Sequence, residues 1–142
     1  MSSIIQGVSD DLIARLEGAL EAHADVLVAY LFGSASRGEM RPGSDVDVAV
    51  LISPRGAARA IRPTLASMRS GLQADLQEAA RRSVDLVILD HASPDLIHRV
   101  LRDGVLLAER DRSARIRFEV DARNAYFDVL PFLIRYREAA LS

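Results

Sequence analysis

The sequence predicts an α/β (α+β) fold, a small mixed β-sheet flanked by helices, and three observations predict it. Four short apolar runs, at Asp25–Phe32, Asp45–Ile52, Ser83–Leu89 and Val105–Glu109, have the length and β-branched content of strands. Between them lie stretches with helical apolar spacing and recognisable start and stop signals. No repeat, low-complexity tract or linker divides the chain, so its 142 residues read as one domain, 1–142, large enough to bury a core.

The elements follow in order. Ser9-Asp10-Asp11 precedes Leu12, Leu16 and Leu20, which predicts a capped amphipathic helix from about Ser9 to His23. The first strand, Asp25–Phe32, runs into a Gly33-Ser34 turn and a polar loop around Arg41-Pro42-Gly43. After the second strand, Ala57 to Ala80 has helical composition, although Pro63 and Gly71 argue against one uninterrupted helix. Beyond the third strand, Ser93-Pro94-Asp95 is a helix start with serine at the cap and proline in the first turn, and Gly104 ends that helix. From Asp111 the pattern is helical almost to the C-terminus. Ile116, Val120, Phe127, Leu130, Ile134 and Leu141 form an apolar stripe, and Pro131 should kink or divide the helix.

Chemistry concentrates between Leu31 and Val50. Gly33 has no Cβ, so the backbone there can approach a phosphate closely. Ser34 adds a hydroxyl and a backbone N–H at the start of a short helix, where anions are favoured. After ten intervening residues come Asp45 and Asp47, two apart in an alternating apolar run, so a strand sends both carboxylates from one face. Strand interiors disfavour aspartate, and two hard oxygen ligands suit Mg²⁺, which combines one or two carboxylates with substrate phosphates. Asp85, between Val84 and Leu86, is a third acid inside an apolar run.

Gly-Ser, ten intervening residues and Asp-x-Asp resemble the signature of the nucleotidyltransferase superfamily that includes DNA polymerase β. The resemblance implies a polymerase β-like fold and a two-metal Mg²⁺ site. Asp45, Asp47 and Asp85 would hold the metals, Asp85 also being able to take the acceptor's proton, with ATP as co-substrate and pyrophosphate leaving. Gly33 and Ser34 would hold the triphosphate. Arg37 and Arg41 lie in the loop over it, where guanidinium suits phosphate oxygens, and Ser44 orients the strand entry or adds a contact. His23, His91 and His98 show no ligand spacing, and Asp90 reads as a strand end.

Beyond the motif, nearly the whole chain is similar to the minimal nucleotidyltransferases, stand-alone domains encoded beside HEPN-domain proteins as toxin–antitoxin pairs. Val84-Asp85-Leu86-Val87, the run Arg99–Leu107 and the aromatic-bearing tail carry that similarity. It implies an antitoxin that transfers AMP from ATP to a tyrosine of a partner HEPN ribonuclease. The chain lacks the Arg-x(4–6)-His pattern of such ribonucleases, so it would be the neutraliser. Two other readings stay open: a small-molecule nucleotidyltransferase of the aminoglycoside-modifying kind, and an antitoxin that acts by binding alone.

Composition narrows the field. A net charge of −2, with eighteen arginines scattered among acids and no lysine, is not the basic stripe of a nucleic-acid binder. No apolar run is long enough to span a bilayer, and Ile4-Ile5 is followed within six residues by Gly7, Ser9, Asp10 and Asp11, unlike a signal peptide. The expected compartment is the cytoplasm. Without cysteine there is neither disulfide nor thiolate metal site. Five of seven aromatic residues, Phe118, Tyr126, Phe127, Phe132 and Tyr136, fall in the last twenty-five, joined by Arg123, Arg135 and Arg137. That combination suits a protein interface, which makes the segment 111–142 a candidate partner surface.

Overall fold

The computed structural model describes residues 2–39, 41, 43–52 and 62–141, with side chains described from residue 10 onward and again from residue 66. Helix α1 spans Ser2–Glu21, strand β1 Val26–Phe32, and a 3-10 turn Gly33–Ala35. Then come β2 (Val46–Ile52), α2 (Arg62–Ala80), β3 (Val84–Ile88), a second 3-10 turn (Leu89–His91), α3 (Pro94–Asp103), β4 (Val105–Glu109) and α4 (Arg112–Leu141). The strands order as β3-β2-β1-β4. β1 is antiparallel to both β2 and β4, whereas β2 and β3 are parallel, so the sheet is mixed as the sequence predicts.

Side-chain alternation gives the sheet two faces. On one, Val46, Val48, Val50 and Ile52 of β2 with Val84, Leu86 and Ile88 of β3 meet α1 and α2. Leu12, Leu16 and Leu20 of α1 recur every four residues, and so do Leu72, Leu76 and Ala80 of α2, which aims both stripes at the sheet. Arginines hold the ends of these helices: Arg15 Nε donates to the Ala79 carbonyl (2.8 Å), and Arg110 Nη2 donates to the carbonyls of Leu20 and Glu21 (3.1 and 2.9 Å). Each satisfies carbonyls that a helix terminus leaves unbonded.

The second face carries α3 and α4 over Val28, Tyr30 and Ala49, with Ile97, Val100 and Ala122 closing the layer. Ser93 caps α3 by accepting from the Leu96 N–H (3.3 Å), and the Gly104 N–H closes on the Val100 carbonyl (2.7 Å), both as read from sequence. Tyr30 donates its hydroxyl to Glu119 (2.8 Å), Arg115 bonds Glu119 (3.0 Å), and Arg115 also bonds Glu109 (3.0 Å), so β1, α4 and β4 share one polar chain.

β3 is an edge strand, and α2 covers part of its free edge. Arg69 Nη2 donates to the Leu86 carbonyl (2.8 Å), Gln73 Nε2 donates to the Val84 carbonyl (2.9 Å), and the Val84 N–H donates to Gln77 Oε1 (3.2 Å). These three residues are four apart on one helix face, and their bonds blunt an edge otherwise open to strand pairing.

Several boundaries differ from expectation. α1 begins at Ser2, ahead of the Ser9 cap. α2 runs unbroken through Gly71, while residues 57–61 of its predicted span lie outside the described ones. α4 is one helix with Pro131 inside it, not two: proline removes a single N–H bond, and the flanking turns of a 30-residue helix carry the run across. Among the described residues no helix is long and apolar enough to cross a membrane.

Candidate active site

The pairing of β2 with β3 sets Asp47 directly opposite Asp85, and the pairing of β1 with β2 sets Phe32, the residue before Gly33, opposite Asp47. Asp47, Ala49 and Leu51 alternate onto one face of β2, and Asp45 is the residue immediately before the strand. Ala49 and Leu51 are covered by the α3 and α4 layer, and the aspartates lie where that layer stops. Asp45 and Asp85 are exposed and Asp47 is half-buried. Burial, then the charges of Asp85 and Asp45, push the Asp47 carboxyl above its ordinary value, with Arg37 pulling the other way. All four groups therefore act within one electrostatic field. Among the described residues the acids do not close into a cluster of three or more metal ligands, as three like charges would resist doing.

Gly33 packs straight onto this group. Its φ is +71°, and a Cβ added there would overlap Asp47 Oδ2 and stand 3.1 Å from Cγ. Only glycine both adopts that backbone and leaves room for the carboxylate. The turn beyond it is held from within: Ser36 Oγ donates to the Gly33 carbonyl (2.7 Å), and the Ser34 carbonyl accepts from the N–H groups of Arg37 (3.2 Å) and Glu39 (2.9 Å). The Ser34 hydroxyl and the carboxylates of Asp45, Asp47 and Asp85 make no hydrogen bond or ion pair among the described residues. Half-buried and exposed oxygens left unpaired on a strand face are the donor set a hard cation prefers. A hard divalent ion would relieve the repulsion that raises Asp47, so the residues fit Mg²⁺.

Arg37 is held over the turn by Glu39 (Nε to Oε2, 3.1 Å) and Asp103 (Nη1 to Oδ2, 3.9 Å). Ser44 spends its hydroxyl locally, accepting from the Arg41 N–H (3.1 Å) while its own N–H bonds the Arg41 carbonyl (3.0 Å). Its role in the fold is to close the turn that delivers Asp45. Arg82 Nη1 reinforces that turn by donating to the carbonyls of Ser44 (3.2 Å) and Arg41 (3.4 Å), a function that no local sequence signal announces. Asp90 accepts from the Ile52 N–H (3.0 Å), so it does finish a strand, though the neighbouring one.

Residues 15–113 match the family model described as polymerase beta, nucleotidyltransferase. The chain belongs to that family. Like its relatives, this nucleotidyltransferase has the polymerase β-like fold, here completed by the long helix α4. A crystal structure of a toxin–antitoxin with AMP-PNP is 25% identical, covering 92% of this chain and 98% of that one with a TM-score of 0.74. A mutant of the toxin–antitoxin MntA-HpeT is 26% identical, covering 88% and 94% with a TM-score of 0.69. A tri-AMPylated Shewanella oneidensis HEPN toxin in complex with MNT antitoxin shares the fold at 24% identity, covering 97% and 99% with a TM-score of 0.65. No curated protein matches the chain.

Proposed function

We propose that this nucleotidyltransferase is an antitoxin that transfers AMP from ATP to a tyrosine of a partner HEPN ribonuclease in the cytoplasm, silencing it. One observation carries the reading: unpaired Asp47 and Asp85 opposite each other on the sheet, with Asp45 close enough to act on Asp47 and a glycine turn fitted against Asp47. In this reading Asp45 and Asp47 hold Mg²⁺ and Asp85 completes the set on the acceptor side. Gly33 and Ser34 receive the triphosphate, Arg37 neutralises its charge, and Ser44 keeps the loop in place. Bound there, Mg²⁺ supplies charge neutralisation at the α-phosphate and acidifies the acceptor hydroxyl. The relative bound to AMP-PNP and the MntA-HpeT relative support both the nucleotide and the pairing with a toxin.

Helix α4 supports a protein partner independently. Of its residues only Ala122 is buried, while Phe127 and Tyr136 are 63% and 76% exposed and Phe132, Ile134 and Leu141 also face outward. Large exposed apolar side chains on one helix beside Arg123, Arg135 and Arg137 have the make-up of an interface. The same surface keeps the binding-only reading alive, so the test must separate the two. The protein is incubated with a HEPN-domain ribonuclease, ATP and Mg²⁺, and the ribonuclease is weighed by mass spectrometry. AMP-unit additions that vanish with Asp47→Ala establish transfer. Full neutralisation by the Asp45→Ala, Asp47→Ala double variant would instead assign the effect to binding.

A further inference from the structure

Asp103 stands where its charge disfavours its own helix. It is the last residue of α3, and an acid at a helix C-terminus opposes the dipole, which favours cations there. The fold nevertheless fixes it. Gly104 closes α3 against β1: a Cβ there would overlap the Val100 carbonyl and stand 3.4 Å from the carbonyl of Leu31, two residues before Gly33. Val105 then pairs with Leu31, so Asp103 is delivered beside the turn that follows β1. Arg102 grips its carboxylate twice, Nε to Oδ1 and Nη2 to Oδ2, each at 2.9 Å. That bonding holds the Asp103 carboxyl below its ordinary value, so it is ionised at neutral pH. The same Oδ2 faces Arg37 Nη1 at 3.9 Å.

We infer that Asp103 is a positioning residue for Arg37, setting its guanidinium over the Gly33-Ser34 turn to meet the nucleotide's phosphates; this rests on the nucleotide role given to Arg37 above. An exposed arginine side chain has wide rotamer freedom, which it loses only where neighbours hold it. Glu39 takes Nε (3.1 Å), but it lies two residues away on the same loop, so it moves with Arg37 and fixes nothing relative to the sheet. Asp103 belongs to α3, which packs on the sheet through Ile97 and Val100, and it ties the guanidinium to the frame that carries Asp47. Arg37 acts on Asp47 electrostatically, so the guanidinium lies within reach of the carboxylates. Nη2 makes no bond or ion pair among the described residues and is left for phosphate oxygens. A bare charge effect has the opposite sign to positioning. Removing an acid beside an anion site should tighten nucleotide binding on Coulomb grounds, whereas loss of a positioning residue loosens it.

Wild type, Asp103→Asn, Arg37→Ala and the double variant are titrated with AMP-PNP and Mg²⁺ by calorimetry, and steady-state AMP transfer from ATP to a HEPN-domain ribonuclease is followed. Asp95→Asn is the control: it removes the same charge from the other end of α3, where Asp95 faces Arg137, also at 3.9 Å. Asp103→Asn is expected to weaken AMP-PNP binding roughly threefold to fivefold, the range an exposed ion pair can set, and to raise KM for ATP in step with kcat unchanged. Added to Arg37→Ala it should change nothing further, and Asp95→Asn should bind as wild type does. Unchanged or tighter binding in Asp103→Asn, a fall in kcat with KM unchanged, or an equal further loss in the Arg37→Ala background would each overturn the positioning role while leaving the transfer reading intact. So would an equal loss in Asp95→Asn. If Arg37→Ala itself binds AMP-PNP as wild type does, Arg37 has no part in nucleotide binding and the role of Asp103 falls with it. A wild type that binds AMP-PNP but transfers no AMP sinks the transfer reading alone, and the binding cycle still decides Asp103.

Discussion

Replacing Gly33 with alanine tests whether the turn is shaped by the carboxylate beside it. Two costs can be worked from the structure. At φ +71° an L-residue pays about 1–2 kcal/mol for the left-handed backbone. The new methyl also overlaps Asp47 Oδ2, so that side chain must leave its rotamer, at roughly 0.5–1.5 kcal/mol. The total loss of stability is about 1.5–3.5 kcal/mol. The functional cost is larger, because displacing a reacting-centre group by about 1 Å typically lowers a rate by roughly 100-fold. Gly43 provides the control: its φ is +83°, yet an added Cβ meets nothing within 4 Å. Gly43→Ala should therefore lose only the backbone share, about 1–2 kcal/mol, and keep nearly full transfer. Denaturant unfolding measures the first quantity, and the initial rate of AMP incorporation with ATP and Mg²⁺ measures the second. If the two alanine variants lose transfer equally, or if Gly33→Ala stays fully active, the contact with Asp47 is irrelevant and the reasoning fails.

Other consequences follow from particular contacts. Asp47→Asn should abolish transfer yet raise the melting temperature measured in a chelator, since it removes the carboxylate that Asp85 and Asp45 repel; Mg²⁺ should stabilise wild type and not the variant, as thermal melts would show. Tyr30→Phe removes a buried hydrogen bond to a charged partner and should cost about 1.5–3 kcal/mol in denaturant titrations at neutral pH. Burial and Glu119 hold the Tyr30 phenol above its ordinary value, so the folded state keeps a proton that the unfolded chain releases near pH 10. That contribution is present below about pH 10 and lost as pH rises beyond it, and Tyr30→Phe should remove this part of the alkaline fall in stability. Phe127→Asp, at a position 63% exposed, should change stability by no more than about 0.5 kcal/mol while weakening capture of the HEPN partner in a pull-down or by calorimetry.

The parts of this molecule that were readable from sequence are those fixed by neighbours a few residues away. Gly33, Asp45 and Asp47 form such a local pattern, and alternation alone puts the two acids on one face. Asp85 was legible because an acid inside Val84–Ile88 breaks a strand's apolar run, although its place opposite Asp47 comes from strand pairing, which no local signal encodes. The same limit hid Arg82 on the Ser44 loop, Asp103 beside Arg37, and the Arg69, Gln73 and Gln77 row along β3: long polar side chains choose partners by tertiary proximity. Helix α4 shows the limit most clearly. Periodicity predicts an apolar stripe through Ile116, Val120, Phe127, Leu130, Ile134 and Leu141, yet all but the half-buried Leu130 are exposed, and α4 packs through Phe118 and Ala122 instead. A repeat of apolar residues reveals that a face must be covered but not by what. On α4 the chain itself covers one face and leaves the richer one bare, so the apolar pattern alone does not separate a core-facing stripe from an exposed one.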